Sequence, residues 1–151
     1  MTTTTTDAKI DAPLAAIVRD NGHARRINRA YSQEMTVIAL FDQHGHATGL
    51  YDVYSESGSR YVVDLNDQTC SCPDVEAHDP SMCKHRARVL LQVHHTALPK
   101  PGEEPSDDYY GGLYAEAREL RARIEGRKER GYPLGALPNL LAPITAALNR
   151  L

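Results

Sequence analysis

Cysteine and histidine come together once in this chain, in a spacing that limits every fold open to it. The run is Cys70-Ser71-Cys72, ten residues, then Cys83-Lys84-His85, and it uses all three cysteines of the chain. A structural zinc site takes four thiolate or imidazole donors in a tetrahedron and leaves no position for water. Three cysteines and one histidine fill that set. Residues two apart on an extended chain point the same way, so Cys70 and Cys72 can present both sulfurs to one ion from a strand end. On a regular helix the same spacing puts side chains on roughly opposite faces. Cys83 is therefore expected just ahead of a helix and His85 in its first turn. The ion would sit where a strand end meets a helix start.

Other readings of these residues are weaker. Three cysteines could serve as small buried apolar groups. A disulfide framework is disfavoured by the odd count, by the absence of a signal-peptide pattern and by the closeness of Cys70 to Cys72. An iron–sulfur cluster usually asks for four thiolates. His78, inside the spacer, is the one substitute for His85 as fourth ligand.

The surroundings carry a resemblance. Tyr61-Val62-Val63-Asp64-Leu65, then Cys70-Ser71-Cys72-Pro73-Asp74, then Cys83-Lys84-His85 followed by Ala87, Val89 and Leu90, resemble the SWIM zinc finger. That family's pattern is C-x-C, a variable spacer and C-x-H, with a strand pair before and a helix after. The resemblance covers about residues 50–95, and not the first 35 or last 50 residues. It implies one structural Zn²⁺ on Cys70, Cys72, Cys83 and His85, and a role in DNA binding or protein–protein contact. Members occur in chromatin-remodelling-type ATPases, transposase relatives, ubiquitin-ligase and kinase proteins, and partners of recombinase paralogues. Recombination, transposition or transcription is the setting this suggests.

The rest of the chain reads as an α+β protein: a small antiparallel β-meander with a ββα zinc module, flanked by N-terminal and C-terminal helices. Residues 1–9, with five consecutive threonines, are expected to form a disordered tail. Helices are expected over 10–34, where Ile10, Leu14, Ile17 and Val18 recur at helical spacing and Asn21-Gly22 gives a stop. The meander plus finger is placed at 35–98, its core at 60–95. Strands are expected over 36–41, 49–55, 60–65 and 69–72, joined by polar turns, with Pro73 ending the ladder because it lacks an amide donor. A helix is expected over 84–95. Residues 99–112, rich in proline, glycine and acid, read as a solvated linker.

Residues 113–151 carry two apolar stripes. Leu113, Ala117, Leu120 and Ile124 make the first; Leu137, Leu140, Leu141, Ile144, Leu148 and Leu151 make the second, where Pro143 is expected to kink or split the helix near Ala142. Such helices either pair and fold back over the sheet, or bind a partner or a second copy. One Phe and no Trp leave little bulky core material, so the metal is expected to supply cohesion.

Function follows by exclusion and charge. A closed four-ligand site cannot activate water, and the chain has no G-x-S-x-G, P-loop, G-x-G-x-x-G or H-E-x-x-H, so no enzyme is expected. His44 and His46 read as surface residues of a turn. No apolar run approaches a membrane span, and reduced thiols suit a cytoplasmic protein. Seventeen basic and 20 acidic residues give a net charge of −3, so any nucleic-acid contact must be local. Lys84, Arg86 and Arg88 on the zinc helix, with Arg25, Arg26 and Arg29 before the sheet, are the candidate phosphate contacts for sequence-independent DNA binding. The other expectation is a protein-interaction module, in which zinc holds the platform and a protein partner docks on it.

Overall fold

The structure is a computed structural model that describes residues 33–73 and 83–151. The expected tail at 1–9, the helices over 10–32, the spacer 74–82 and His78 lie outside the described residues, as do Arg25, Arg26 and Arg29. Gln33 and Glu34, the described end of the second expected helix, are not helical.

Four strands form an antiparallel meander in chain order: β1 (Thr36–Phe41), β2 (Ala47–Tyr54), β3 (Arg60–Asp64) and β4 (Thr69–Cys70). Side chains of the turns set the register. Asp42 accepts the His44 and His46 amides between β1 and β2. Asp64 does the same for the Asn66 and Asp67 amides between β3 and β4. Gly49 has φ +90°, and a Cβ there would lie 2.2 Å from the Asn66 side chain, whose amide holds the Thr48 carbonyl. Only glycine lets β2 and the β3–β4 turn approach so closely.

β4 is shorter than the expected 69–72. Ser71 extends the pairing by its amide to the Val62 carbonyl, while its hydroxyl accepts the Val62 amide. Regular ladder thus stops ahead of Pro73, and Cys72 is released from the sheet.

Among the described residues three helices pack around the sheet: α1 (Lys84–His95), α2 (Asp107–Arg130) and α3 (Leu137–Asn149). Helix α1 buries His85, Arg86, Ala87, Val89, Leu90, Leu91 and Val93, most of its circumference, and packs against β3 and β4. Helix α3 lies on β1 and β2, and α2 packs along α3. Most of both C-terminal stripes is therefore consumed inside the molecule: Leu113, Ala117, Leu120 and Ile124 from α2, and Leu137, Leu140 and Ile144 from α3, are buried in one core with the sheet, Leu141 and Leu148 are partly buried against it, and Leu151 at the end of the stripe is exposed.

Helix α2 starts earlier than expected. Ser106 caps it by accepting the Tyr109 amide, Asp107 and Asp108 occupy the positive end of its dipole, and Gly131 closes it in the left-handed conformation at φ 71°. Residues 107–112 are thus helix, and Tyr109 explains why. Its ring meets Phe41 edge-on at 6.0 Å, and its hydroxyl accepts the Ala39 amide on the free side of edge strand β1. The segment ahead of α2 is not a loose tether. Ala47 exchanges backbone hydrogen bonds with Gly102 and Glu103, and the buried Tyr51 hydroxyl donates to the Pro99 carbonyl.

Pro143 does not split α3, which runs through it as one element with Pro143 buried. Leu140 and Ile144 on either side are 3% and 0% exposed, so packing holds the turn together where one backbone bond is missing. The buried Thr36 hydroxyl donates to the Leu140 carbonyl at 2.7 Å and ties that turn to β1. Among the described residues no helix is long and apolar enough to cross a membrane.

Candidate metal centre

The end of β4 and the start of α1 bring the two halves of the motif together. Cys70 is the last residue of β4, Cys72 follows the released ladder, Cys83 is the N-cap of α1, and His85 lies in its first turn. Cys83 caps through sulfur: its Sγ accepts the Arg86 amide at 3.4 Å, and its backbone is extended. The spacing problem posed by C-x-H is solved as expected, because a residue outside the helix need not obey the helical period.

All four side chains are buried, between 1% and 7% exposed, and their donor atoms lie within 4.8 Å of one another. Tetrahedral zinc with bonds of about 2.3 Å to sulfur and about 2.0–2.1 Å to nitrogen places neighbouring donors roughly 3.5–3.8 Å apart. Cys70 Sγ and His85 Nδ1 are 3.9 Å apart and no pair exceeds 4.8 Å, so a small inward movement of the donors completes the tetrahedron. The residues fit one structural Zn²⁺.

The imidazole nitrogen, which spacing alone does not reveal, is Nδ1. It faces the sulfurs, while Nε2 is buried without a hydrogen-bond partner among the described residues. A neutral ring with Nδ1 turned to a metal carries its proton on Nε2. The Tyr61 ring packs on the imidazole at 4.5 Å between centroids and fixes its plane.

Three thiols this close do not ionise alike. The Cys83 thiol is pushed down to about 4, first by the hydrogen bond from Cys70, then by His85 and the Arg86 amide, against its burial. The Cys70 thiol is pushed up by that same bond to Cys83 and by burial. The Cys83 thiolate at the helix start therefore precedes that of Cys70, and a divalent cation is what allows thiols this close to lose their protons together.

That arrangement has a counterpart in a known finger. Residues 61–94 match the family model of the SWIM zinc finger. The match opens at Tyr61, in β3, later than the resemblance over 50–95, and spans β4, the four ligands and nearly all of α1. No curated protein and no solved structure matches the chain.

The helix of the matched segment does not display its cations as expected. Arg86 is 2% exposed, the largest of the fully buried side chains, and lies inside rather than on an outer face. Arg88 is half-buried and donates to the carbonyls of Gln33 and Met35 and to the Gln92 side chain. Lys84 donates to the Gln33 side chain at 2.8 Å. The apolar period of the helix foretold the Ala87, Leu90 and Leu91 face, but nothing in it signalled the burial of Arg86.

Proposed function

We propose that this protein is a non-catalytic adaptor in which one structural Zn²⁺ locks the sheet to α1 and the finger so formed contacts a protein partner. The observation that carries the reading is the burial of all four donors in a closed set. Such a centre has no position for a substrate or an activated water, and its contribution is to hold shape. Contact with protein rather than nucleic acid is favoured by the engagement of Lys84 and Arg88 with residues 33–35 and by the burial of Arg86. These three were the cations that a phosphate contact through the finger would need. The net charge of −3 adds no attractive field. The SWIM match suggests recombination, transposition or transcription as the setting, and three free thiols suit the reducing cytoplasm.

Two measurements test this. Elemental analysis of the purified protein is expected to find one zinc per chain. Co-purification from native cells after nuclease treatment is expected to retain a protein partner, and a random-sequence DNA duplex titrated at about 50 and about 200 mM salt is expected to bind weakly at both. Tight duplex binding that falls steeply with salt, with partners lost on nuclease treatment, would instead establish sequence-independent DNA contact.

A further inference from the structure

A cavity of about 480 Å³ opens beside the candidate metal centre, within the range of about 300–1,000 Å³ that binding pockets occupy. Glu34, Glu56, Tyr61, Lys84 and His85 are among its walls. They come from the segment ahead of β1, the β2–β3 turn, β3 and the start of α1, so the cavity takes shape only when the finger is folded against the sheet. The β2–β3 turn is pinned. Glu56 Oε1 accepts the Glu34 amide at 3.2 Å, the Asn139 side chain of α3 donates to the Glu56 carbonyl at 3.3 Å, and the Ser55 and Ser57 hydroxyls share a hydrogen bond.

The charges around the cavity do not cancel. Glu34 is paired with Arg123, and Lys84 donates to the Gln33 side chain, whereas no cation stands beside Glu56 among the described residues. Three thiolates, a neutral imidazole and Zn²⁺ add about one further negative charge, so Lys84 balances only part of the total. His85 gives a second, independent pointer. It is 3% exposed and lines this cavity, its Nδ1 is turned to the sulfurs, and its Nε2 has no hydrogen-bond partner among the described residues. A metal-bound imidazole ordinarily gives that proton to a carbonyl, a carboxylate or water. The site is thus short of one cation and one acceptor.

We propose that this cavity takes an arginine-bearing segment of the protein partner, its guanidinium against Glu56 and Tyr61 and a main-chain carbonyl on His85 Nε2. The inference rests on the adaptor reading above and names the surface and the partner's chemistry. A planar guanidinium pairs with a carboxylate through two parallel hydrogen bonds and stacks on an aromatic ring, and a carboxylate and a phenol in one cavity suit it better than an ammonium. The same charges repel phosphate. Cys72 and His85 belong both to the donor set and to the cavity wall, so the ion that holds them also holds the docking site.

The test selects binders from a phage-displayed library of random heptapeptides on the full-length, zinc-loaded protein, and measures the strongest by fluorescence polarisation. Arginine is expected to be enriched among them, and binding is expected to be lost in excess chelator. Glu56→Gln removes the charge but keeps an acceptor for the Glu34 amide, and is expected to weaken binding about 5-fold, the upper end for an exposed ion pair, at unchanged zinc content. Glu129→Gln makes the same charge change on the exposed face of α2 and is expected to leave binding as in wild type. The Nε2–H resonance of His85 is expected to move on peptide binding. Selection of acidic or uncharged peptides, no selection at all, equal effects of Glu56→Gln and Glu129→Gln, or an unmoved Nε2–H resonance overturns the proposal. A wild type without zinc overturns the metal centre itself, a result distinct from a zinc-loaded protein that selects no arginine.

Discussion

Cys83 performs three tasks with one sulfur, and replacing it in two ways separates them. It donates to the metal, caps α1 by accepting the Arg86 amide at 3.4 Å, and is 3% exposed in the core. Cys83→Ala removes all three; Cys83→Ser keeps an acceptor for the cap but is a poor zinc ligand. With free zinc at about 1,000 times its dissociation constant, the ion adds about 4 kcal/mol to the stability of the fold. For a chain of 151 residues, 1 kcal/mol moves the melting temperature by about 2–4 °C. Loss of the metal should then lower the Tm of both variants by about 8–16 °C relative to zinc-loaded wild type. The cap adds a smaller difference of about 1 kcal/mol, so Cys83→Ala should melt a further 2–4 °C or so below Cys83→Ser. In excess chelator the part of the gap that the metal supplies should close, with Cys83→Ala remaining slightly below Cys83→Ser. Thermal unfolding followed by circular dichroism, with zinc content measured on the same samples, reads all of this. A Cys83→Ala protein that keeps both its zinc and its wild-type Tm would refute the coupling of this site to folding.

Other perturbations probe the scaffold around the site. Tyr109→Phe leaves the buried Ala39 amide without its acceptor and is expected to cost about 1–3 kcal/mol in urea unfolding, with faster exchange of that amide; unchanged exchange would show that α2 does not seal the edge of β1. Ile144→Ala, at a fully buried position beside Pro143, is expected to cost about 2–5 kcal/mol by the same assay, and a loss below 1 kcal/mol or so would place α3 off the sheet. The depressed Cys83 thiol gives the metal-free protein a pH dependence of definite sign. Its folded value of about 4 lies below the ordinary 9.0, so the stability it adds is full above 9.0 and drains away as pH falls toward 4. In chelator, the urea midpoint of wild type should therefore rise from about pH 5 to about pH 8 more than that of Cys83→Ser, and parallel curves would contradict this assignment.

The elements most legible in the sequence were those whose causes are local. Strand β1 occupies 36–41, as its β-branched run requires, and α1 occupies 84–95, because Cys83 must stand outside a helix for C-x-H to converge. The ligand set was legible for the same reason: the periods of strand and helix dictate which neighbours can share an ion. Where the reading strayed, distant contacts had intervened. Residues 107–112 have the acid and glycine of a linker, yet Tyr109 is drawn into the helix by Phe41 and by the open edge of β1. Pro143 is a helix breaker by its own chemistry, but Leu140, Ile144 and the Thr36 hydroxyl hold its turn in place.

By itself, the sequence determined that three sulfurs and one imidazole would meet at a strand-to-helix junction, since spacing and backbone period suffice for that. Only the tertiary structure decided which nitrogen of His85 faces the sulfurs, that most of both C-terminal stripes is spent on the molecule's own core, and that Arg86 is buried. The physical reason is the range of the forces involved. Ligand convergence is a matter of a few residues of chain geometry, whereas the burial of a charged side chain depends on what surrounds it once sheet, helices and site have packed together.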